Sequence, residues 1–461
     1  MLLVNDSIVR KSKIIIIGAG AAGTELAQDI VHTQKPWEVV GFLDDKKEGD
    51  DVLGVIDDLP QVLGAKGVQK VFFAIPRVKT DRLVVIRRIC HEHGVDFFII
   101  PPKPETVANE AKVSMLRKLH VSDLMGRAFQ SGDLHVHKPY YANKTVLVTG
   151  AAGSIGSELV TQLLEIGARV ICADVSEYGV FKLHQKHSGR EGFLSAIVDL
   201  KDAAAVEELL VRHKGIDVVF HAAAYKHVPL MESHPKTCFK NNVVGTQNLF
   251  QACRKVGVPN VVLISTDKAV RPSNIMGATK RLCEMEMSNY TDAMKINCVR
   301  FGNVLGSSGS VVQIFQNRVE TGLPLHVTDK RMRRYFMSIP EAVFLILETG
   351  KTEETGRIFL LEMGEMIPVV ELAEKVIQVN GYLPHEEIPI HITQPRPGEK
   401  LEEDLYANNE RSSQTVHDKI YAMKEELFAL EKFNEALREF LSDFEGKTDA
   451  EVRDFIFSIV R

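Results

Sequence analysis

The apolar positions of this chain cluster in short continuous runs instead of alternating with polar ones. KIIIIG (Lys13–Gly18) and KTVLVTG (Lys144–Gly150) each lead into a glycine-rich turn and then a helical pattern, AGAAGTELAQDI after the first and AAGSIGSELVTQLL after the second. A run that is apolar on both faces predicts a parallel strand covered by helices on either side. Two such openings, roughly 130 residues apart, predict an α/β chain with two doubly wound Rossmann-like parallel-sheet domains.

In the first domain the runs at 39–45, 68–75 and 95–101 continue the strand pattern, and the PPKP turn (Pro101–Pro104) closes it. Residues 1–104 are thus one nucleotide-binding-like domain and 105–142 a connector, in which SDLMGRAF (Ser122–Phe129) reads as a short docked element. The second domain, 143–417, adds strands at 169–174, 192–199, 216–224, 261–266 and 296–304. From about 305 to 417 the pattern loosens into turn-rich pieces such as GSSGS and QPRPGEK, where a smaller substrate-binding lobe belongs, and 418–461 reads as a tail of amphipathic helices.

Composition narrows the function. A formal net charge of -5 supplies no basic field for nucleic acid. The six cysteines are scattered without a CxxC pair, which predicts neither a zinc site nor a disulfide framework and fits a reducing compartment. The opening MLLVNDSIVRKSK is too short and polar for a signal peptide, and no apolar run approaches the ~18–20 residues of a membrane span.

The second glycine turn carries the stronger chemical signal. Gly150, Gly153 and Gly156 suit a tight turn, close approach to a pyrophosphate and helix–strand packing, with Ser154 and Ile155 opening the helix whose N-terminus attracts phosphate. Asp174 ends the next strand and is placed for a ribose hydroxyl; no Arg or Lys follows it directly, which favours NAD over NADP. Asp199 is placed to meet the adenine. Ala222, Ala223 and Ala224 follow a fourth strand and would let the chain lie against the cofactor, while His221 and His227 read as hydrogen-bonded structural histidines. Gly18, Gly20 and Gly23 with Asp44 form a second fingerprint in the first domain, without catalytic residues beside it.

Thr266, Asp267 and Lys268 stand at the C-terminal edge of a predicted strand, where open α/β sheets bind ligands. An adjacent acid and amine can act as a general acid–base pair if their surroundings separate their pKa values. Met276 and Lys280 share a helical face four residues apart. Methionine has no proton to exchange, which argues against a plain alcohol dehydrogenase. Arg300, Asn303, Arg334, Arg396 and Lys400 are a set suited to a nucleotide diphosphate, and Lys226, Glu232 and Asn242 are further candidates for ligand contact.

The motifs HAAAYKHVPLME, NNVVGTQN, STDKAVRPSNIMGATKR, RFGNVLGSSGSV, RRYFMSIPEA and RPGEK, in this order after TGAAGSIG, resemble the UDP-N-acetylglucosamine 4,6-dehydratases of the extended short-chain dehydrogenase/reductase superfamily. Within it they resemble the large polysaccharide-biosynthesis branch, which carries Met where most of the superfamily has a catalytic Tyr. The resemblance covers most of the chain. It implies NAD as cofactor, a UDP-N-acetylhexosamine substrate and no metal. Asp267 would be the acid, Lys268 the base, Thr266 a partner of the sugar O4, and Lys280 the residue holding the nicotinamide ribose. It also implies a homo-oligomer of at least two copies, in the cytoplasm or at the inner face of the membrane; the membrane helices such relatives carry ahead of the first domain do not occur in this sequence. Two other readings stay open, a UDP-sugar 4-epimerase and a non-catalytic nucleotide-sensing scaffold.

Overall fold

The computed structural model describes residues 11–76, 78–101, 111–125, 132–405, 411–415, 417–424 and 429–460. Residues 102–104 of the PPKP turn and 126–129 of SDLMGRAF lie outside them. Two compact units emerge. The first combines Met1–Gln130 with Ile314–Val327 and Val370–His391; the second combines Ser131–Gln313, Thr328–Val369 and Ile392–Arg461. No helix among the described residues is long and apolar enough to cross a membrane.

The first unit is built on β1 (Ser12–Ile17), β2 (Trp37–Leu43), β3 (Val52–Gly54), β4 (Lys70–Phe73), β5 (Asp96–Ile99) and β6 (Arg117–Lys118), in the sheet order β3-β2-β1-β4-β5-β6. All pairings are parallel except β5 with β6. Ile14 to Ile17 are fully buried, which is why their run has no polar face. At the end of β1 a Cβ on Gly23 would fall 1.9 Å from the Gly18 carbonyl oxygen, so the following helix can sit this close only with glycine there. The Asp44 carboxylate accepts from the backbone N–H groups of Ala19, Lys46 and Lys47 at 2.7, 2.8 and 3.0 Å. Its slight burial works to raise its pKa; those three donors win and hold it below the usual carboxylate range. Arg87 ties a later segment into this unit by donating to the carbonyls of Val379 and Asn380, both at 2.9 Å.

The second unit holds β7 (Thr145–Thr149), β8 (Arg169–Asp174), β9 (Phe193–Ile197), β10 (Val218–His221), β11 (Asn260–Ile264) and β12 (Lys295–Arg300). They lie in the order β12-β11-β10-β7-β8-β9, all parallel, so the strand order reverses beside β7. The crevice at such a reversal is where open sheets receive ligands. One face of the sheet is packed by Val206, Leu249, Leu282 and Ile456, the other by Leu159, Leu163, Val343 and Leu347, all fully buried.

Two expectations need correcting. Ile358–Leu361 lies within the predicted lobe yet pairs in parallel with β12 as part of the main sheet. Ile420–Lys424, read as the start of a helical tail, is an antiparallel strand on Ile358–Leu361, itself paired with Arg411–Gln414. The helices of the tail are Leu430–Ser442 and Asp449–Val460.

Candidate active site

The glycine turn after β7 is shaped by contacts no side chain could survive. Gly150 has φ +64°, and a Cβ there would lie 2.6 Å from both Cα and N of Ala223. A Cβ on Gly156 would lie 2.1 Å from the Gly150 carbonyl oxygen. Gly153, by contrast, is exposed and caps the helix Ser154–Glu165. The N–H groups of that first turn, with Ser154 and Ile155 half-buried beside them, therefore face an open cradle. Ala222 and Ala223 pack against Gly150 with Ala224 following half-buried, and Ala222 N–H donates to Thr149 O at 3.1 Å.

Asp174 accepts from Ala152 N–H and Ser176 N–H, both at 2.9 Å, which fixes the half-buried carboxylate at the rim of the turn. Asp199 accepts from Lys201 N–H at 3.0 Å and pairs with its ammonium at 3.1 Å. The GSSGS turn lies across the start of the helix: Ser308 N–H donates to Ser154 Oγ at 2.9 Å, and a Cβ on Gly309 would strike the His227 ring at 2.4 Å. His221 is buried between Thr149 Oγ1 at 2.7 Å and Thr246 Oγ1 at 2.8 Å. Burial, with Lys280 adding to it, pushes its pKa down to about 3, so it is a neutral structural group.

Beyond β11 the chain turns through Thr266–Lys268, pinned by Asp267 N–H to Phe301 O at 3.0 Å. The Asp267 side chain is fully buried. Its Oδ1 accepts from Thr266 Oγ1 and from Lys268 Nζ, each at 2.9 Å, while Oδ2 has no hydrogen-bond partner among the described residues. Gly302 makes room for that oxygen, since a Cβ there would lie 3.1 Å from it. Lys268 Nζ also donates to Asn303 Oδ1 at 3.2 Å and lies 3.9 Å from Glu403 Oε1. Burial works to lower the lysine pKa, but Asp267 and Glu403 outweigh it and hold the ammonium above the ordinary lysine range, with Arg334 opposing them.

The helix Ile275–Met287 carries Met276 and Lys280, both buried. Asn274 Oδ1 caps it by accepting Gly277 N–H at 2.8 Å. The buried Lys280 ammonium donates no hydrogen bond to the described residues, which leaves its donors for a ligand. This helix meets the Thr266–Lys268 turn through Gly277, where a Cβ would fall 2.1 Å from the Lys268 carbonyl oxygen. Gly277→Ala must push the turn aside. Because displacing a reacting group by about 1 Å can cost ~100-fold, kcat should fall by roughly that factor, and the unfolding midpoint should drop as well, since the added methyl meets buried backbone and overpacking of this kind costs about 1–3 kcal/mol. Steady-state kinetics beside a melting curve checks it, and unchanged kcat would contradict it.

Several predicted substrate residues are engaged elsewhere. Arg300 is buried in a two-pronged pair with Glu284, Nε to Oε1 at 2.9 Å and Nη2 to Oε2 at 2.7 Å. The guanidinium of this expected substrate residue is thus engaged by the counter-charge that a buried cation needs. The Asn242 amide is spent on the Tyr225 backbone and Thr279 Oγ1, clamping the loop after β10. Glu232 accepts Ile275 N–H at 2.6 Å and pairs with Arg453 at 2.7 Å, so it anchors a helix start. Arg334 donates to the carbonyls of Arg333, Lys400 and Leu401. Lys400 reaches Val270 O at 3.2 Å and Asp404 at 3.1 Å. Lys226 and Arg396 are exposed.

Residues 146–425 match the model of the polysaccharide biosynthesis protein family, and residues 5–101 match a CoA-binding domain. The chain is 38% identical over 436 residues to the capsular polysaccharide biosynthesis protein CapD of Staphylococcus aureus, spanning 91% of this chain and 72% of the relative. It belongs to the polysaccharide biosynthesis protein family. A UDP-N-acetylglucosamine 4,6-dehydratase (inverting) of Campylobacter jejuni is 30% identical over 303 residues, 64% of this chain and 87% of that protein. Among solved structures, a Thermus thermophilus UDP-glucose 4-epimerase in complex with NAD superposes with a TM-score of 0.51 at 27% identity, covering 57% of this chain and 90% of that one.

Proposed function

We propose that this chain dehydrates a UDP-N-acetylhexosamine, UDP-N-acetylglucosamine foremost, to the 4-keto-6-deoxy sugar, using NAD. The observation that carries the reading is the buried Thr266–Asp267–Lys268 cluster beside a helix with Met at 276 and Lys at 280. The glycine cradle, the half-buried Asp174 and the small residues at 222–224 fit a dinucleotide. When bound, NAD supplies hydride acceptance from C4 and hydride return to C6.

The chain's own groups handle the protons. Thr266 Oγ1, hydrogen-bonded to Asp267 Oδ1, offers a path for the C4 hydroxyl proton to Asp267. Lys268 in its neutral form takes the proton from C5, and Asp267 passes its proton to O6 as water leaves. Lys268 then returns a proton to C5 as the hydride reaches C6. Lys280 fixes the ribose and adds positive charge. Asp267 is fully buried and Lys268 only 15% exposed, which limits the access of bulk water, where proton transfer would be less directed. Met276 cannot take a proton from a hydroxyl, which favours this cycle over a 4-epimerase that relies on a tyrosine there.

Incubation of the chain with NAD and UDP-N-acetylglucosamine is expected to give a product lighter by one water in mass spectrometry. Intact mass with this sugar and with UDP-N-acetylgalactosamine alike would sink the reading.

A further inference from the structure

Lys268 presents a physical problem. A base must be neutral, yet the two carboxylates around this amine hold its proton on. Asp267 cannot relieve it, because in the cycle above it receives the C4 hydroxyl proton. The other carboxylate is Glu403, on the loop after RPGEK, between the exposed Glu402 and the half-buried Asp404. Its side chain is 4% exposed and its Oε2 has no hydrogen-bond partner among the described residues. Oε1 lies 3.9 Å from Lys268 Nζ and 3.8 Å from Arg334 Nε, within ion-pair range of both but bonded to neither. A buried carboxylate with an oxygen left unpaired is costly unless it can take up a proton.

We infer that Glu403 is the proton acceptor that frees Lys268 to act as base. This rests on the dehydratase reading. As substrate fills the pocket, Glu403 Oε1 closes on Lys268 Nζ from 3.9 Å to hydrogen-bond distance, the ammonium N–H bond breaks and its proton passes to Glu403, leaving a neutral amine and a neutral carboxylic acid. No charge is created and no co-reactant is needed. The amine then takes the C5 proton, later delivers one of its solvent-exchanged ammonium protons to C5, and recovers the proton held by Glu403 at the end. The facing charges set the balance. Burial raises the Glu403 carboxyl above the usual range, the Lys268 ammonium lowers it, Asp267 raises it, and Arg334 and Lys400 lower it. Glu403 acts through Lys268 and is a positioning residue in this sense.

The test compares pH–rate profiles of dehydration by the full chain and its Glu403→Gln variant. Glutamine keeps the shape but accepts no proton, so Lys268 must then lose its proton to solvent. The variant should be about 100-fold slower near neutrality and should recover in proportion to hydroxide as the pH rises, whereas the unaltered protein is flat over the same range. Reduction of bound nicotinamide on mixing with substrate, read by absorbance, should persist in the variant. Glu403→Asp, which retains a carboxylate, should keep the flat profile at reduced rate even if the glutamine variant folds poorly. A Glu403→Gln profile parallel to the unaltered one, whether equal or uniformly lowered, overturns the inference while leaving the dehydratase reading intact. An unaltered protein that dehydrates no UDP-N-acetylhexosamine overturns both.

Discussion

Lys268→Ala is expected to lower dehydration by at least about 10³-fold, near the upper end of what a positioned proton-transfer group contributes (~10²–10⁴-fold), while NAD affinity is unchanged. The separation follows from placement. The cofactor cradle proposed above comprises Gly150–Gly156, Asp174 and Ala222–Ala224, and Lys268 makes its hydrogen bonds elsewhere, to Asp267 and Asn303. The fold should survive the loss of the ammonium, because a buried carboxyl without its counter-charge takes up a proton, and Asp267 and Glu403 are both in a position to do so. Rapid kinetics with isothermal titration of NAD measures both halves. Turnover equal to that of the unaltered protein would refute the role of Lys268 as base.

The second large effect lies beneath the site. Glu284 accepts from Ser265 Oγ at 2.6 Å and from Arg300, and pairs with Arg281 at 3.2 Å, all under the turn that carries Thr266–Lys268. Removing one partner of a buried pair costs about 3–5 kcal/mol, because the other charge is left uncompensated. Glu284→Gln should therefore destabilise the second unit by about that much in denaturant unfolding. A double change, Arg300→Met with Glu284→Leu, should regain most of the loss. Burial alone would raise the Glu284 carboxyl, but the Arg300 guanidinium leads the groups that bring it down to about 2. A depressed folded-state pKa means its contribution is complete above the ordinary glutamate range and is lost as pH falls from there toward about 2. A Glu284→Gln protein as stable as the parent near neutral pH would contradict this account. So would a parent and variant whose stabilities do not converge in acid.

What could be read from the sequence follows physical lines. The runs IIII and TVLVT identify themselves because central parallel strands are apolar on both faces, and the glycines after them because only glycine tolerates the 2 Å approaches found at Gly23 and Gly156. Thr266–Lys268 could be placed because ligand edges follow strand ends. IFLL at 358–361 could not, since a four-residue apolar run fits a buried helix as well as a strand. Nor could Arg300, whose type suggests a phosphate and whose partner, Glu284, sits in a helix where a charge ordinarily faces solvent. Glu403 was hidden for the same reason, and only its burial separates it from its acidic neighbours. Gly277 reads as a weak point in a helix, though its lack of a side chain is what lets that helix reach the Lys268 backbone.

In the proposed internal redox cycle the hydrogen removed from C4 returns to C6 and Lys268 reprotonates C5. The direct measurement uses UDP-N-acetylglucosamine carrying deuterium at C4, with the product analysed by mass spectrometry and NMR, and a parallel run of unlabelled sugar in deuterated water. The account predicts a product lacking one water, with the C4 label in its C6 methyl group and, in the parallel run, one solvent deuterium at C5. A product that keeps its full complement of oxygen with the label back at C4, or a dehydrated product whose methyl group carries none of it, would contradict the account.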